Sequence, residues 1–308
     1  MLQIISGKFF ESTERHSSEG KGILYSNIAL HNKIDTSVAT LEPADVYGQT
    51  SAYILSYNNQ IEKDPKAQGF SLVRTGDAEI LRQFKYICTF GLRAIFEEDR
   101  NVVYKMCREN PISSHEHYVP SGYINRILDL GIYAQQKEID EFVAFVEDLI
   151  GLPREVYNTI INCLGAYEAA IKLLDDDINS AYSMLIYCAE TLSQRFYTYN
   201  PVWDDYPQDQ RVALEKCFNG LAPNNIVQIK NILIKDSHLK LTKRFANFLL
   251  QYLDESFFLD DAYTLGRAVK KDEIERALIN AYNTRSRYVH NLEPIIRNLT
   301  NTHVFMAK

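Results

Sequence analysis

The sequence predicts an α+β protein in which a β-rich N-terminal domain is followed by an all-α antiparallel helical bundle. Two observations carry this. Up to about residue 70 the apolar residues come in short, partly alternating runs broken by Gly, Asn, Asp and Pro, which is strand and turn chemistry. After residue 122 they recur at helical spacing over long stretches joined by short polar loops. The predicted division is a β-rich or α+β domain over 1–110, a linker over 111–122 and a helical domain over 123–308.

In chain order, strands are predicted over 2–10, 23–31, 36–41 and 51–57. Gly20-Lys21-Gly22, His31-Asn32-Lys33, Glu42-Pro43-Ala44-Asp45 and Asn58-Asn59 read as the turns between them. Asp77 suits the N-cap of a helix over 78–90, whose Ile80, Leu81, Phe84, Ile87 and Cys88 share one side. The apolar pieces 92–96 and 102–106 fit a strand pair or a second short helix. Pro111 and Pro120 frame the linker, and no strand is predicted beyond it. Helices follow over 138–152, from Pro153 to 174, and over 178–196, 208–219, 225–234, 239–253 and 272–292. Asp175-Asp176-Asp177 places carboxylates at the positive end of the third of these, and Asp272 with Glu275 has the pattern of a capping box.

Bulk properties bound the function. A chain of 308 residues can bury a sizeable core, and a net charge of −7 argues against a protein that coats nucleic acid, though a local basic site remains open. The 5 cysteines are widely spaced with no CxxC pair, so buried free thiols in a reducing cytosol are expected. The N-terminus lacks a signal-peptide pattern, and no apolar run approaches the ~20 residues of a membrane helix. A cytoplasmic protein with no membrane partner is the expectation.

Most candidate chemistry falls away on inspection. His115-Glu116-His117 has no announced third ligand and sits in a Pro-flanked loop, so no metal is predicted. The glycines assemble into neither a GxGxxG nor a Walker A pattern, no GxSxG occurs, and no cofactor is indicated. What remains is Arg285–His290, near the end of the last helix. Ile279, Tyr282, Ser286, Val289 and Leu292 would form its buried stripe. Arg285 and His290 are about 140° apart in projection, yet a long guanidinium side chain can converge with the imidazole on one cleft. The imidazole shuttles protons near neutral pH, and the guanidinium holds a phosphate and stabilises its developing charge. Such a pair needs no metal when the nucleophile is a ribose 2′-hydroxyl, which favours RNA over DNA. On spacing alone the same residues also suit a helix C-terminus, where cations favour the dipole.

Tyr282-x-x-Arg285-Ser286-x-x-Val289-His290, closing the last helix of a bundle, resembles the signature of the HEPN superfamily, most of all its Apea-like branch. Residues 177–196, with Ala181, Leu185, Ala189-Glu190 and Leu192, and Arg244-Phe245 through Leu253 resemble two further helices of that family. The resemblance covers roughly 130–295, and Apea-like proteins commonly carry a β-rich N-terminal region. It implies a homodimer whose motif helices face each other across a composite cleft. It also implies metal-independent RNA cleavage to a 2′,3′-cyclic phosphate and a 5′-hydroxyl, in phage defence, abortive infection or toxin systems. By the resemblance Arg285 would bind the phosphate and His290 would be the general acid/base. Ser286, Glu190 and Tyr282 would support them, and Arg287, with Arg276, Lys271, Lys270 and Arg267 as a basic rim, would contact RNA. A non-catalytic scaffold of the same fold, binding RNA, a small ligand or a partner protein, is the other reading, and a phage-derived or regulatory ligand at the N-terminal domain is open in both. Asn291-Leu292 departs from the family, in which a glycine often follows the histidine.

Overall fold

The computed structural model describes residues 2–47, 50–63, 77–107, 127–235, 237–259 and 269–295, with backbone alone at 45–47 and 237–239. It is α+β, and the chain forms two compact units, the first taking in Met1–Ala181 and the second Tyr182–Arg297.

The first unit opens on α1 (Leu2–Ile5), a helical turn where a strand was expected. A strand would send Leu2 and Ile5 to opposite faces. The helical turn buries both, and the Gln3 amide donates to the carbonyls of Ile150 at 3.1 Å and Leu152 at 2.6 Å. Then come β1 (Arg15–Ser26), β2 (Ile28–Ala29), β3 (Ile34–Asp35), β4 (Thr40–Tyr47) and β5 (Thr50–Glu62). β1 and β5 pair antiparallel throughout, from Arg15 opposite Glu62 to Ser26 opposite Ser51. Gly20-Lys21-Gly22 and Asn58-Asn59, expected as turns, therefore lie within the ladder. The ring of Tyr57, opposite Gly20, explains the glycine: a Cβ at residue 20 would come within 2.3 Å of the ring. The expected turn Glu42-Pro43-Ala44-Asp45 is a register shift inside β4, which lets proline sit in a strand despite its missing donor. The expected strand over 36–41 starts only at Thr40. Before it the Thr36 hydroxyl donates to the Ala39 carbonyl at 2.7 Å and closes a turn.

α2 (Asp77–Gly91), β6 (Phe96–Glu97) and α3 (Arg100–Met106) follow, α3 capped by Asp99 accepting from the Asn101 amide at 2.8 Å. The sheet order is β3-β4-β5-β1-β6 among the described residues. β7 (Ile132–Tyr133), not foreseen, pairs parallel with β2. Buried Asn27 ties this corner together, donating to the carbonyls of Ile127 at 3.1 Å and Asp129 at 2.6 Å and accepting from the Ile95 amide at 2.8 Å.

α4 (Gln136–Gly151) and α5 (Arg154–Leu173) form as expected, Pro153 standing at the N-cap of α5. Their apolar faces, however, pack on α2 and join the core it shares with the sheet. One buried cluster runs from Leu2, Leu24 and Tyr53 through Ile80 and Phe84 to Phe142, Val146, Tyr157 and Leu164. The division of the chain therefore falls after Ala181, well beyond the predicted linker, which with His115-Glu116-His117 lies outside the described residues. A nearly buried ionic quartet joins α2, β6 and α5. Lys85 lies 3.3 Å from Glu97 and 3.5 Å from Glu168, and Lys172 pairs with both acids. Burial alone would lower the Lys172 pKa, but Glu168 and Glu97 outweigh it and hold the ammonium above the ordinary lysine value.

The second unit holds most of α6 (Ile178–Phe196), then α7 (Gln208–Cys217), α8 (Pro223–Ile234), α9 (Ser237–Leu250), α10 (Glu255–Leu259) and α11 (Ile274–Asn291). Asp177 caps α6 as predicted, accepting from the amides of Asn179 and Ser180, both at 3.1 Å. The capping box expected at Asp272 and Glu275 does not form. Glu275 instead pairs with Lys243 of α9 at 2.8 Å, and Glu273 stands at the N-cap without a side-chain capping bond. Val289 and Leu292, expected in the buried stripe of α11, are 46% and 76% exposed, while Ile274, Tyr282 and Thr284 are buried. Leu292 ends the helix with φ of 57°, a left-handed conformation usually taken by glycine. Of the cysteines, Cys88, Cys107 and Cys163 are buried as expected, Cys188 is half-buried and Cys217 exposed. Among the described residues no helix is long and apolar enough to cross a membrane.

Candidate functional site

The candidate site is assembled in the second unit from α6, α9 and α11. Tyr182 of α6 donates to the Ala281 carbonyl of α11 at 3.2 Å. Phe245 of α9 packs its ring on Tyr282 at 5.4 Å. Between these contacts lies Glu190, only 7% exposed, on a helix whose neighbouring positions are largely apolar.

Three donors converge on the Glu190 carboxylate. One oxygen accepts from the Tyr282 hydroxyl at 3.0 Å and from the Gln194 amide at 3.2 Å, and the other lies 3.3 Å from Nη1 of Arg285. Ser193 braces the same turn, its buried hydroxyl donating to the Glu190 carbonyl at 2.7 Å. Tyr282 and Arg285 are neighbours on one helix face at i, i+3, so a single carboxylate can take both. Burial first, and the adjacent Glu190 next, push the Tyr282 hydroxyl up to about 12, so it stays a donor at neutral pH. The Arg285 side chain is 17% exposed and held in one orientation, with its Nε buried and bonded to nothing among the described residues.

The remaining candidates are more scattered. His290 is exposed on the last turn of α11, and no hydrogen bond or ion pair joins it to Arg285, so the expected convergence is not made within one chain. Geometry is the reason: Arg285 faces inward to Glu190, and a step of five residues carries the helix past that face. Ser286 is half-buried beside Arg285, without a hydrogen bond to the guanidinium. Arg287 is exposed, donates to Thr284 Oγ1 at 3.4 Å and lies 4.0 Å from Glu293. Arg276 lies 3.5 Å from Glu273, Lys270 and Lys271 are exposed, and Arg267 lies outside the described residues.

No family model, curated protein or solved structure matches this chain.

Gln194 and Glu293 escaped the sequence reading. Gln194 stands at i+4 from Glu190, a spacing that could have announced its bond to the carboxylate. Glu293 follows the motif directly. Among the described residues no group of His, Cys, Asp and Glu has the makings of a metal site. Chemically, the arrangement offers a preoriented guanidinium, a solvent-facing imidazole one and a half turns further along the helix, and a neutral phenol behind them.

Proposed function

We propose that this protein is a metal-independent endoribonuclease of a phage-defence, abortive-infection or toxin type, with a HEPN-like helical domain that acts as a homodimer. Arg285 holds the scissile phosphate and stabilises its charge, and His290 is the general acid/base for attack by the ribose 2′-hydroxyl. The observation that carries this reading is the Tyr282–Glu190–Arg285 network. It aims and rigidifies the one arginine the mechanism needs, which is what a positioning shell does in an active site. The separation of Arg285 from His290 in one chain fits a cleft built from two copies, where each imidazole works beside the partner's arginine. The exposed Val289 and Leu292 flanking His290 supply apolar surface for that contact. A ligand that regulates the site would bind the first unit, and the protein would act in the cytoplasm.

A second reading, a non-catalytic dimeric scaffold binding RNA, a small ligand or a partner protein, draws on Arg287. Glu293 beside it and the net charge of −7 both work against a strongly basic RNA track.

The test is cleavage of a tRNA or mRNA pool by wild type and His290→Ala in EDTA, with oligomeric mass measured by light scattering. The expected result is a dimer whose cleavage falls about 100- to 10,000-fold in the variant. Equal cleavage by both proteins, or strict dependence on added metal, sinks the ribonuclease assignment. RNA binding without cleavage by either protein supports the scaffold.

A further inference from the structure

In the first unit the ladder between β4 and β5 is shorter than β5 itself. It runs from Tyr47 opposite Thr50 to Thr40 opposite Ser56, and beyond Ser56 none of the described residues pairs with β5 on that side. β1 covers the other side as far as Glu62. The parity of the β1–β5 ladder tells which backbone groups are left over. One step past the Arg15–Glu62 pair, the Lys63 amide donates to the Glu14 carbonyl at 3.0 Å. In that register the odd-numbered residues of β5 turn their N–H and C=O to β1, and the even-numbered residues turn theirs to the β4 side. Ser56 meets Thr40 there. The backbone groups of Asn58 and Gln60 meet no partner on that side among the described residues.

A cavity of about 440 Å³ lies along this edge. It takes residues from both faces of the β1–β5 ribbon, Glu19, Lys21 and Asn58 from one and Tyr57 from the other. A space that reaches both faces passes around an edge. That edge belongs to β5, because the opposite wall is the turn over 36–40 that leads into β4. The far edge of β1 is also open before Tyr25, so an open edge alone decides nothing; a second wall facing it does. This wall is held in place. The Thr36 amide and hydroxyl both donate to the Ala39 carbonyl, at 3.0 and 2.7 Å, and the Ser37 amide donates to Glu147 of α4 at 2.7 Å. The side chains of the two open residues are drawn aside as well. Gln60 Oε1 accepts from Arg15 Nη1 at 3.0 Å, and Asn58 Oδ1 accepts from the Ser17 hydroxyl, both partners standing on β1. Neither side chain covers its own backbone.

We infer that this cleft binds an extended peptide segment of another protein, which joins the sheet as a strand beside β5 in line with β4. The edge offers N–H and C=O pairs two residues apart, about 7 Å along the strand, and alternate residues of an extended chain present the complementary groups at the same repeat. A small polar molecule meets one such pair; a peptide backbone meets both. The walls set the character of the segment. Glu19 and Lys21 carry opposite charges, and Ile5, Val38 and Tyr57 are buried, so neither an acidic nor a basic sequence is selected and a weakly charged one fits. Binding at this edge stands apart from the ribonuclease reading. That the peptide is the ligand regulating cleavage rests on that reading.

Random heptapeptides selected on the full chain from a display library supply the probes, and fluorescence anisotropy measures their affinity. The proteins are wild type, Asn58→Ala, Asn58→Pro and Gln60→Pro. Proline removes an amide that β1 does not use and is tolerated on a strand edge, whereas Asn58→Ala loses the side chain and keeps the amide. Asn58→Ala is expected to retain most of the binding, and each proline variant to lose about tenfold or more, through one missing hydrogen bond and the ring in its place. N-methylation moved along the peptide is expected to weaken binding to wild type at every second residue only, the period of a strand. That measurement uses no variant, so it decides the matter even where a proline variant fails to fold. The proposal is overturned by a library without a binder, by binding indifferent to both prolines, or by N-methyl effects lacking the two-residue period. Light scattering is expected to give one oligomeric mass for all four proteins; a larger assembly lost in both proline variants puts a second copy on the edge and overturns the foreign peptide. RNA cleavage in EDTA is followed with and without peptide. Peptide bound with no RNA cleaved leaves the strand site and removes the ribonuclease, and RNA cleaved with no peptide bound does the reverse. A cleavage rate changed by bound peptide makes it the regulator, and an unchanged rate removes that role.

Discussion

Each unit of this protein buries a cluster of charges, and the two clusters differ in their bookkeeping. In the first unit Lys85 and Lys172 face Glu97 and Glu168, two cations against two anions, closing on one another across α2, β6 and α5. In the second unit a single cation, Arg285, faces Glu190, which also accepts from the Tyr282 hydroxyl and the Gln194 amide. The surroundings differ in the same sense. The first cluster adjoins a continuous apolar core, whereas α7 and α8 bury no residue and Val227, Ile232 and Tyr252 are more than half exposed. A balanced set inside a packed core has no need of anything from outside. A single pair in a sparsely packed helical unit is the more open to a ligand or a partner.

That contrast can be broken experimentally. Glu168→Ala strands two lysines beside one acid and should cost about 3–5 kcal/mol in urea unfolding, the usual penalty for opening a buried ion network. A loss under about 1 kcal/mol would remove the quartet from the list of what holds the first unit together. Glu190→Ala should cost less, about 1–3 kcal/mol, because it strands one partly exposed guanidinium and two neutral donors rather than two lysines. Part of that loss should return on adding phosphate, whereas Glu168→Ala should show no such recovery. Equal responses of the two variants to phosphate would erase the distinction between the clusters.

Tyr282→Phe keeps the ring on Phe245 and removes one hydrogen bond, for about 1 kcal/mol in the same assay. It should also alter the alkaline behaviour. The Tyr282 hydroxyl is raised from 10.0 to about 12 in the folded chain, so its contribution is complete below pH 10 and fades as the pH climbs through about 12. Melting temperatures between those values should fall more gently in Tyr282→Phe than in wild type, and a spectrophotometric tyrosine titration should lose one of its late-ionising steps. The smallest effect is expected at the end of α11. Leu292→Gly should stabilise the protein by about 0.5–1 kcal/mol, since glycine takes the left-handed turn without the strain a side chain brings there. A destabilisation would mean that the exposed leucine is needed for a contact between copies.

How much of this was legible beforehand depended on how local the cause was. Helices with a clear apolar stripe, such as α2 and α6, could be placed closely, because their periodicity is written in consecutive residues. Gly20-Lys21-Gly22 read as a turn because the reason for Gly20, the Tyr57 ring, lies on another strand. The stripes of α4 and α5 showed that they bury a face but not which partner they bury it against, and that partner is α2 with the core it shares with the sheet. Pro43 and Asp45 carry turn chemistry that the ladder absorbs as a bulge. At the candidate site, Tyr282, Arg285 and Glu190 were singled out together and do meet. The inward turn of Arg285, away from His290, was hidden because a helical projection gives directions around an axis and not the acceptor waiting at one of them.

The packing of Tyr57 over Gly20 bears on how the sequence can drift. A methyl group at residue 20 would have to share space with the ring carbons, so neither position is free while the other keeps its present residue. In a combinatorial library, or among naturally diverged copies, substitutions at residue 20 should survive only alongside a smaller side chain at residue 57. The two positions lie far apart along the chain and face each other across the ladder. They would therefore register as a covarying pair, and that signal could be sought without solving another structure.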